Sequence, residues 1–468
     1  MALTLTETNV TVNETFNEML EDLQGNILKH HGREVAYHIF VRFKTAKVAE
    51  AKKWIKKFAQ NNVVSAKKQL LDAQSRRLDK TFDGGVFFNL SLSAKGYTKL
   101  GIAAAKKPTD PKFVAGMQAS AATLADKITD WEPELKAVID ALIIVSDTAG
   151  SKAESQKRRI VNELTAITDL IHVQRGEILR NEHHLGIEHF GYVDGISQPM
   201  FLKGEIDEQS INTLWHDDAV LKLALVKDTG GSFADSFGSY LVFRKLEQDV
   251  LSFKTKEEEI SGLFNGGDGV KDRNGEPNNE LAGAMIVGRF ENGTEVINNS
   301  RERNITQDAQ LSNDFNYGTD SGALKCPFHA HIRITNPRAD VPTPPGFVKG
   351  VRLVRRGIPF NDIGRDVEDL ENDKPTGGVG LLFMCYQANL SNQFEFIQST
   401  WANQGNISGH LVGQDPIIGQ GPNATDRKLP DQWGTANGLQ SVKTFGGFVT
   451  NRGGEYFFTP SISFLKSL

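Results

Sequence analysis

The feature that most constrains this chain is an internal repeat. GSYLVFRKLEQDVLSF (238–253) follows the plan of YHIFVRFKTAKVAEAKKWI (37–55), an aromatic strand that passes into a helix. GGVGLLFMCYQANLSNQFEFIQSTW (377–401) answers GGVFFNLSLSAKGYTKLG (84–101), and GGEYFFTPSIS (453–463) stands where FGYVDGISQ (190–198) stands in the first half. A repeated order of strands and helices implies two similar α+β domains, 1–235 and 236–468, each an antiparallel sheet with helices on one face. The hairpin-like spacing argues against a Rossmann fold. Neither GxGxxG after a strand nor GxxxxGK[ST] occurs, so nucleotide cradles are absent.

Local patterns fill in this frame. Alternation predicts a strand at Tyr37–Lys44, 84–93 is expected as the next strand, and the apolar run at 141–147 as a further one. Val48, Ala51, Trp54, Ile55 and Phe58 recur at helical spacing and predict a helix over 46–58 with its lysines in water. Further helices are expected at 94–100 and 151–171, and strands at 172–179 and 190–195, the last ending in a turn. Residues 1–24 read as a loose arm ending in an amphipathic helix. Residues 203–237 read as a linker broken at Gly230 and Gly231, and 264–320 as a surface excursion.

Composition narrows the function. A net charge of -5, from 53 basic and 58 acidic residues, supplies no positive field for a polyanion, so nucleic acid is not an expected partner. Two cysteines, Cys326 and Cys385, are too few for a disulfide framework and suit a reducing compartment. No apolar run approaches the roughly 18 residues of a membrane span, and the first thirty residues lack a signal pattern. A soluble, cytoplasmic protein is expected, without a membrane partner.

Three stretches hold the chemistry. CPFHAHIRITNPR (326–338) places His329 and His331 two apart, which on a strand puts both imidazoles on one face, where they can hold a metal. Arg333, Arg338, Arg352, Arg355 and Arg356 follow closely and point to a buried anion. GYVDGISQP (191–199) sets Asp194 before the turn at Gly195, and VRLVRRGIPF (351–360) presents Arg355 and Arg356 at a strand end. Each piece alone also fits a plainer role: a hydrogen-bonded core histidine, a turn aspartate, a surface ion pair. A non-haem metal site is a further alternative, with His329-x-His331 joined by His183, His184 or His189.

Taken together with GLLFMCYQ and GGEYFFTPSIS, these stretches resemble the dye-decolourising peroxidase family of haem enzymes. The resemblance runs from QGNILKHHGR near the N-terminus to the last strand. It implies two ferredoxin-like domains, a fold shared with chlorite dismutases (the dimeric α+β barrel superfamily), and one b-type haem held mainly by the second domain. His331 then matches the axial iron ligand, Asp194 the distal aspartate and Arg355 the distal arginine. Leu381 and Phe383 match the apolar residues that close the distal pocket, Ile196 and Ser197 run along the haem edge, and Arg333 is expected at a propionate. A carboxylate should orient His331, with Asp415 expected and Glu395 as the fallback. Position 329 departs from the family, being His where a small residue is usual.

The activity implied is reduction of hydrogen peroxide via Compound I and oxidation of small aromatic compounds such as anthraquinone dyes and phenolics. Asp194 would act as the base and Arg355 as the charge stabiliser, and an aspartate base predicts an acidic optimum. Trp401, Trp433, Tyr386 and Tyr456 are available as radical sites, with core packing the commoner fate for such residues. A haem-handling protein with incidental peroxidase activity is the alternative. The oligomeric state and the physiological reductant are not legible.

Overall fold

The computed structural model describes residues 3–209, 212–264, 278–305, 312–338, 345–407, 410–422, 427–435, 439–442 and 445–468. Ten strands among the described residues make its main sheet: β1 (Val35–Phe43), β2 (Phe87–Ser93), β3 (Ala141–Asp147), β4 (Thr168–Glu177), β5 (Phe237–Gln248), β6 (Val354–Arg355), β7 (Ile358–Asn361), β8 (Val379–Gln387), β9 (Val449–Thr459) and the short Val226–Lys227, which pairs with β5. The order is β7-β8-β5-β9-β2-β3-β1-β4, antiparallel throughout, with β6 beside β8. The first half supplies β1 to β4 and the second β5 to β9. The last strand, β9, is the seam, pairing with β5 on one side and β2 on the other.

The sheet curls until its two ends meet. Gly176 on β4 makes this possible, because a Cβ there would lie 2.6 Å from the side chain of Ile358 on β7. Gln174 Nε2 donates to Asp362 Oδ1 at 2.9 Å just past β7. Period-two alternation sorts the core. Ala36, Phe40, Leu142, Ile144, Phe243, Met384 and Phe457 fill the inside of the curl.

The helices that position the rest are α1 (Asn17–Asp22), α2 (Val48–Asn61), α3 (Gly150–Thr165), α4 (Val250–Ser261), α5 (Asn279–Val287) and α6 (His331–Thr335). Val35, Ile39, Val41 and Phe43 of β1 face outwards onto Ala51, Ile55 and Phe58 of α2 and Ile160 and Leu164 of α3. This α+β architecture is the class read from the repeat. A separate layer, built on α4 and α5 with Phe190, Tyr192, Phe290 and Ala330, lies over the second half of the sheet. The site lies beneath it.

Six local expectations change. The segment after Cys326 is a turn followed by a helix, because Ala330 N–H bonds Pro327 O at 3.0 Å and Arg333 and Ile334 N–H both bond Ala330 O at 2.9 Å. His329 and His331 therefore share no strand face. Residues 190–195 form a bridged loop rather than a strand, since Gly191 and Gly195 take φ of 101° and 81°. The helix expected over 151–171 ends at Thr165, and Thr168 onwards pairs with β1, whose tertiary contact overrides local pattern.

Residues 3–24 are docked, not loose: Val10, Met19, Leu20 and Leu23 are buried and Val10 N–H bonds Phe201 O at 2.8 Å. The linker reading of 203–237 also fails. Leu221, Leu223 and Leu225 enter the core, and Gly230 is a close-approach glycine whose Cβ would stand 2.3 Å from Phe464. Within 264–320, residues 265–277 and 306–311 lie outside the described residues. The described part includes α5, with Leu281, Ala282, Ala284, Met285 and Ile286 fully buried, so it is core and not a surface excursion.

Candidate active site

A cavity of ≈ 250 Å³, measured to the centres of water-sized spheres, lies between the sheet and the α4–α6 layer. Strand alternation builds its floor. Leu381 and Phe383 of β8, Leu246 and Gln248 of β5 and Val449 of β9 project into it, while Leu382 and Met384 turn into the barrel interior. Its roof is Val287 from α5, His331, Ile332 and Thr335 from α6, and Ile417 and Ile418.

His331 opens α6, and its Nδ1 lies 2.8 Å from Asp415 Oδ2. The other carboxylate oxygen of Asp415 accepts the N–H groups of Ile417 at 2.7 Å and Ile418 at 3.0 Å. Asp415 is thus held from both sides and is the carboxylate that orients His331. Glu395, the fallback, is engaged by Lys112 Nζ at 2.7 Å and Tyr456 Oη at 2.8 Å. Burial pulls the His331 pKa down, but the charge and hydrogen bond of Asp415 outweigh it and leave the value above normal. With Nδ1 committed, Nε2 is the nitrogen left for the cavity.

Asp194 and Arg355 line the same cavity, 161 positions apart in the chain. Arg355 Nη1 donates to Asp194 Oδ1 at 2.7 Å, Arg355 Nη2 donates to Ser197 O at 3.0 Å, and Gly195 N–H donates to Asp194 Oδ1 at 2.6 Å. The Asp194 side chain is 39% exposed and lines the cavity. Burial pushes its pKa up, and the charge of Arg355, the Gly195 N–H and the Arg355 hydrogen bond more than reverse this. The net result lies below the usual carboxylate value. Arg356 points the other way, donating to Asn26 O at 2.6 Å and Ile27 O at 2.8 Å, and so ties the N-terminal QGNI motif under the site.

Ile196, Ser197, Leu381 and Phe383 all line the cavity. Arg333 does not. It is fully buried on the far side of α6, paired with Asp320 Oδ2 at 3.0 Å and sandwiched between the rings of Tyr317 and Phe328. A short helix sends residue 333 away from residue 331, whereas a strand would have kept them together. Besides Arg355, the arginines that line the cavity are Arg338, Arg352 and Arg289. Burial lowers the pKa of Arg352, and its Nη1 makes no hydrogen bond among the described residues, standing 3.6 Å from Asp217.

The sequence signal for Arg338 and Arg352 was present in the dense cations after His331. Glu188 was not anticipated: it lines the cavity, accepts Phe190 and Tyr192 N–H, and burial raises its pKa to about 7.

None of His183, His184, His189 and His329 lines the cavity. His189 Nε2 meets Phe360 O at 2.8 Å, and His329 is buried with its pKa lowered to about 3 by burial and Arg427. Among the described residues no group of three His, Cys, Asp or Glu could hold a metal ion, which removes the geometric basis of the non-haem alternative. What the cavity fits is a flat, largely apolar group with a metal centre and anionic substituents. His331 Nε2 offers the metal ligand, Leu381, Phe383, Ile332 and Ile417 offer faces, and Arg338 and Arg352 offer cations.

Residues 22–178 match the model of the DyP dimeric alpha+beta barrel domain, and residues 285–411 that of the Dyp-type peroxidase C-terminal domain. The multifunctional dye peroxidase DyP2 of an Amycolatopsis species is 38% identical over 96% of both chains. This chain belongs to the DyP-type peroxidase family. The dye-decolorizing peroxidase of Exidia glandulosa is 31% identical over 95% of this chain and 86% of its own. Solved DyP-type peroxidases superpose closely. The Amycolatopsis DyP2 does so with a TM-score of 0.90 at 36% identity over all of both chains, and an Anabaena enzyme with 0.88 at 38% over 97% and 95%. As a DyP-type peroxidase the protein is an oxidoreductase that uses hydrogen peroxide and oxidises dyes, and the family's members are haem enzymes. No described helix is long and apolar enough to cross a membrane.

Proposed function

We propose that this DyP-type peroxidase binds one haem b per chain with His331 as the axial iron ligand, Asp194 as the base and Arg355 as the charge stabiliser. The observation that carries this is the presence of all three in one cavity, with His331 already fixed by Asp415. A bound haem supplies the electrons that cleave the peroxide bond and passes oxidising equivalents to small aromatic substrates.

The protein's own part is proton and charge handling. Asp194 Oδ1 is occupied by Arg355 and Gly195, which leaves Oδ2 towards the cavity to take a proton from peroxide and return it to the departing oxygen. Arg355, anchored through Nη2 on Ser197 O, holds a fixed positive charge beside that oxygen as negative charge builds on it. Ile196, Ser197, Leu381 and Phe383 shape the cofactor's surroundings, and Leu381 and Phe383 keep water from the reacting oxygens. Arg338 and Arg352 take the anionic edge in place of Arg333.

The division into 1–235, with the distal aspartate, and 236–468, with the haem pocket, belongs to the same reading. Placement in the cytoplasm is supported by two buried cysteines, Cys326 and Cys385, that are not joined in a disulfide.

The test is the visible spectrum of the haem-loaded wild type beside His331→Ala, with one equivalent of peroxide added to each. The reading expects a Soret band in the wild type that shifts with peroxide and is lost or altered in the variant. Identical spectra would remove His331 as the ligand.

A further inference from the structure

We infer that Arg427 is a positioning residue that sets, through Asp415, how strongly His331 donates to the haem iron. The inference rests on the assignment of His331 as the axial ligand. Arg427 begins the short strand Arg427–Pro430 and is 1% exposed, one of the largest fully buried side chains. Its Nε donates to the carbonyl of Gln414 at 2.7 Å, the residue immediately before Asp415. The Phe445 ring lies 5.7 Å from its guanidinium carbon. Nη1 and Nη2 have no hydrogen-bond partner among the described residues.

A buried guanidinium with two nitrogens unbonded among the described residues is costly, since a buried donor without a partner has lost its water. Such a cation needs a nearby anion, and the Nε bond to Gln414 sets Arg427 beside the next residue in the chain, Asp415, whose carboxylate charge offsets it. That carboxylate is already engaged by the His331 ring and two backbone amides. The Gln414 bond therefore does two things: it pins the loop that carries Asp415, and it keeps a positive charge next to it.

The consequence follows from the hydrogen bond between His331 and Asp415. A carboxylate draws the Nδ1 proton towards itself, which enriches the imidazole in electrons and favours the oxidised metal. A neighbouring cation holds part of that negative charge and weakens the pull. Arg427 thereby moderates the donor strength of His331 without touching the cofactor.

The experiment compares haem-loaded full-length wild type, Arg427→Met and Arg427→Lys by the Fe(III)/Fe(II) midpoint potential and the ferrous iron–histidine stretch in resonance Raman. Arg427→Met is expected to lower the potential and raise the stretching frequency, and Arg427→Lys, which keeps the charge, to stay near wild type. Should Arg427→Met not fold, Arg427→Gln is read in the same way. A neutral variant with potential and stretch unchanged overturns the inference, as does an equal shift in Arg427→Lys, which would mark a merely structural role. A stretch that survives in His331→Ala overturns the ligand assignment and this inference with it.

Discussion

The Nδ1 of His331 and the Oδ2 of Asp415 stand 2.8 Å apart across 84 positions of sequence. Neither residue has freedom to turn away. The carboxylate is held from its other side by the amides of Ile417 and Ile418, and Thr335 Oγ1 bonds the carbonyl of His331 at 2.7 Å. The imidazole is thus aimed at the cavity before any cofactor arrives.

Asp415→Asn keeps the shape but replaces a charged acceptor with an amide. Outer partners of metal ligands typically contribute 10–100-fold to affinity. Haemin titration followed by absorbance should show a loss of about that size, with a higher midpoint potential. Unchanged affinity and potential would mean that the carboxylate serves the fold alone.

The paired state of Asp194 sets the acid limb of activity. Because its pKa lies below normal, kcat/KM for peroxide should hold up to a pH below the usual aspartate value of about 3.9. Arg355→Leu removes the strongest lowering influence, so the limb should move up in pH while the plateau falls roughly 10²–10³-fold. Asp194→Asn should cost about 10²–10⁴-fold and abolish that limb. A limb in Arg355→Leu at the wild-type pH would show that another group titrates.

Arg352 lines the cavity, with its Nη1 ion-paired to Asp217 at 3.6 Å. Arg352→Met should weaken haem binding by roughly tenfold to a hundredfold, the worth of one charge-assisted hydrogen bond at about 1.5–3 kcal/mol. Arg333→Met, on the far side of α6, should lower thermal stability and leave haem affinity near wild type in the folded fraction.

Acid works against the fold through a buried histidine. His38 is fully buried inside the curl against Phe243, and burial depresses its pKa to about 4. The unfolded chain protonates it near pH 6.5, so the stability it allows is full above that pH and is lost as pH falls towards 4. The loss is at most roughly 3 kcal/mol. Urea midpoints at pH 7 and pH 5 should differ in the wild type, and His38→Leu should narrow the gap.

Much of the site was legible because its parts sit in short, chemically loaded motifs. Asp194, His331 and Arg355 could each be named from the residues around them, and the structure brings them into one cavity. Arg333 and Arg338 show the limit. Both sit in the same motif, and only the turn at Pro327–Ala330, which makes 331–335 a helix, sends Arg333 to Asp320 and leaves Arg338 at the cavity. Apolar periodicity over 326–338 fits either element, since short runs do not separate them.

The sequence by itself determined the α+β class, through the repeat of aromatic strand and helix, and the family, through motifs whose order survives any uncertainty about their conformation. The tertiary structure decided the rest: that β9 joins both halves in one sheet, that α5 is core, that Asp415 rather than Glu395 meets His331, and which arginines reach the cavity. The reason is physical. Local sequence sets which face of an element a side chain occupies, but what that face meets depends on residues tens to hundreds of positions away, whose contacts are formed only when the whole chain packs.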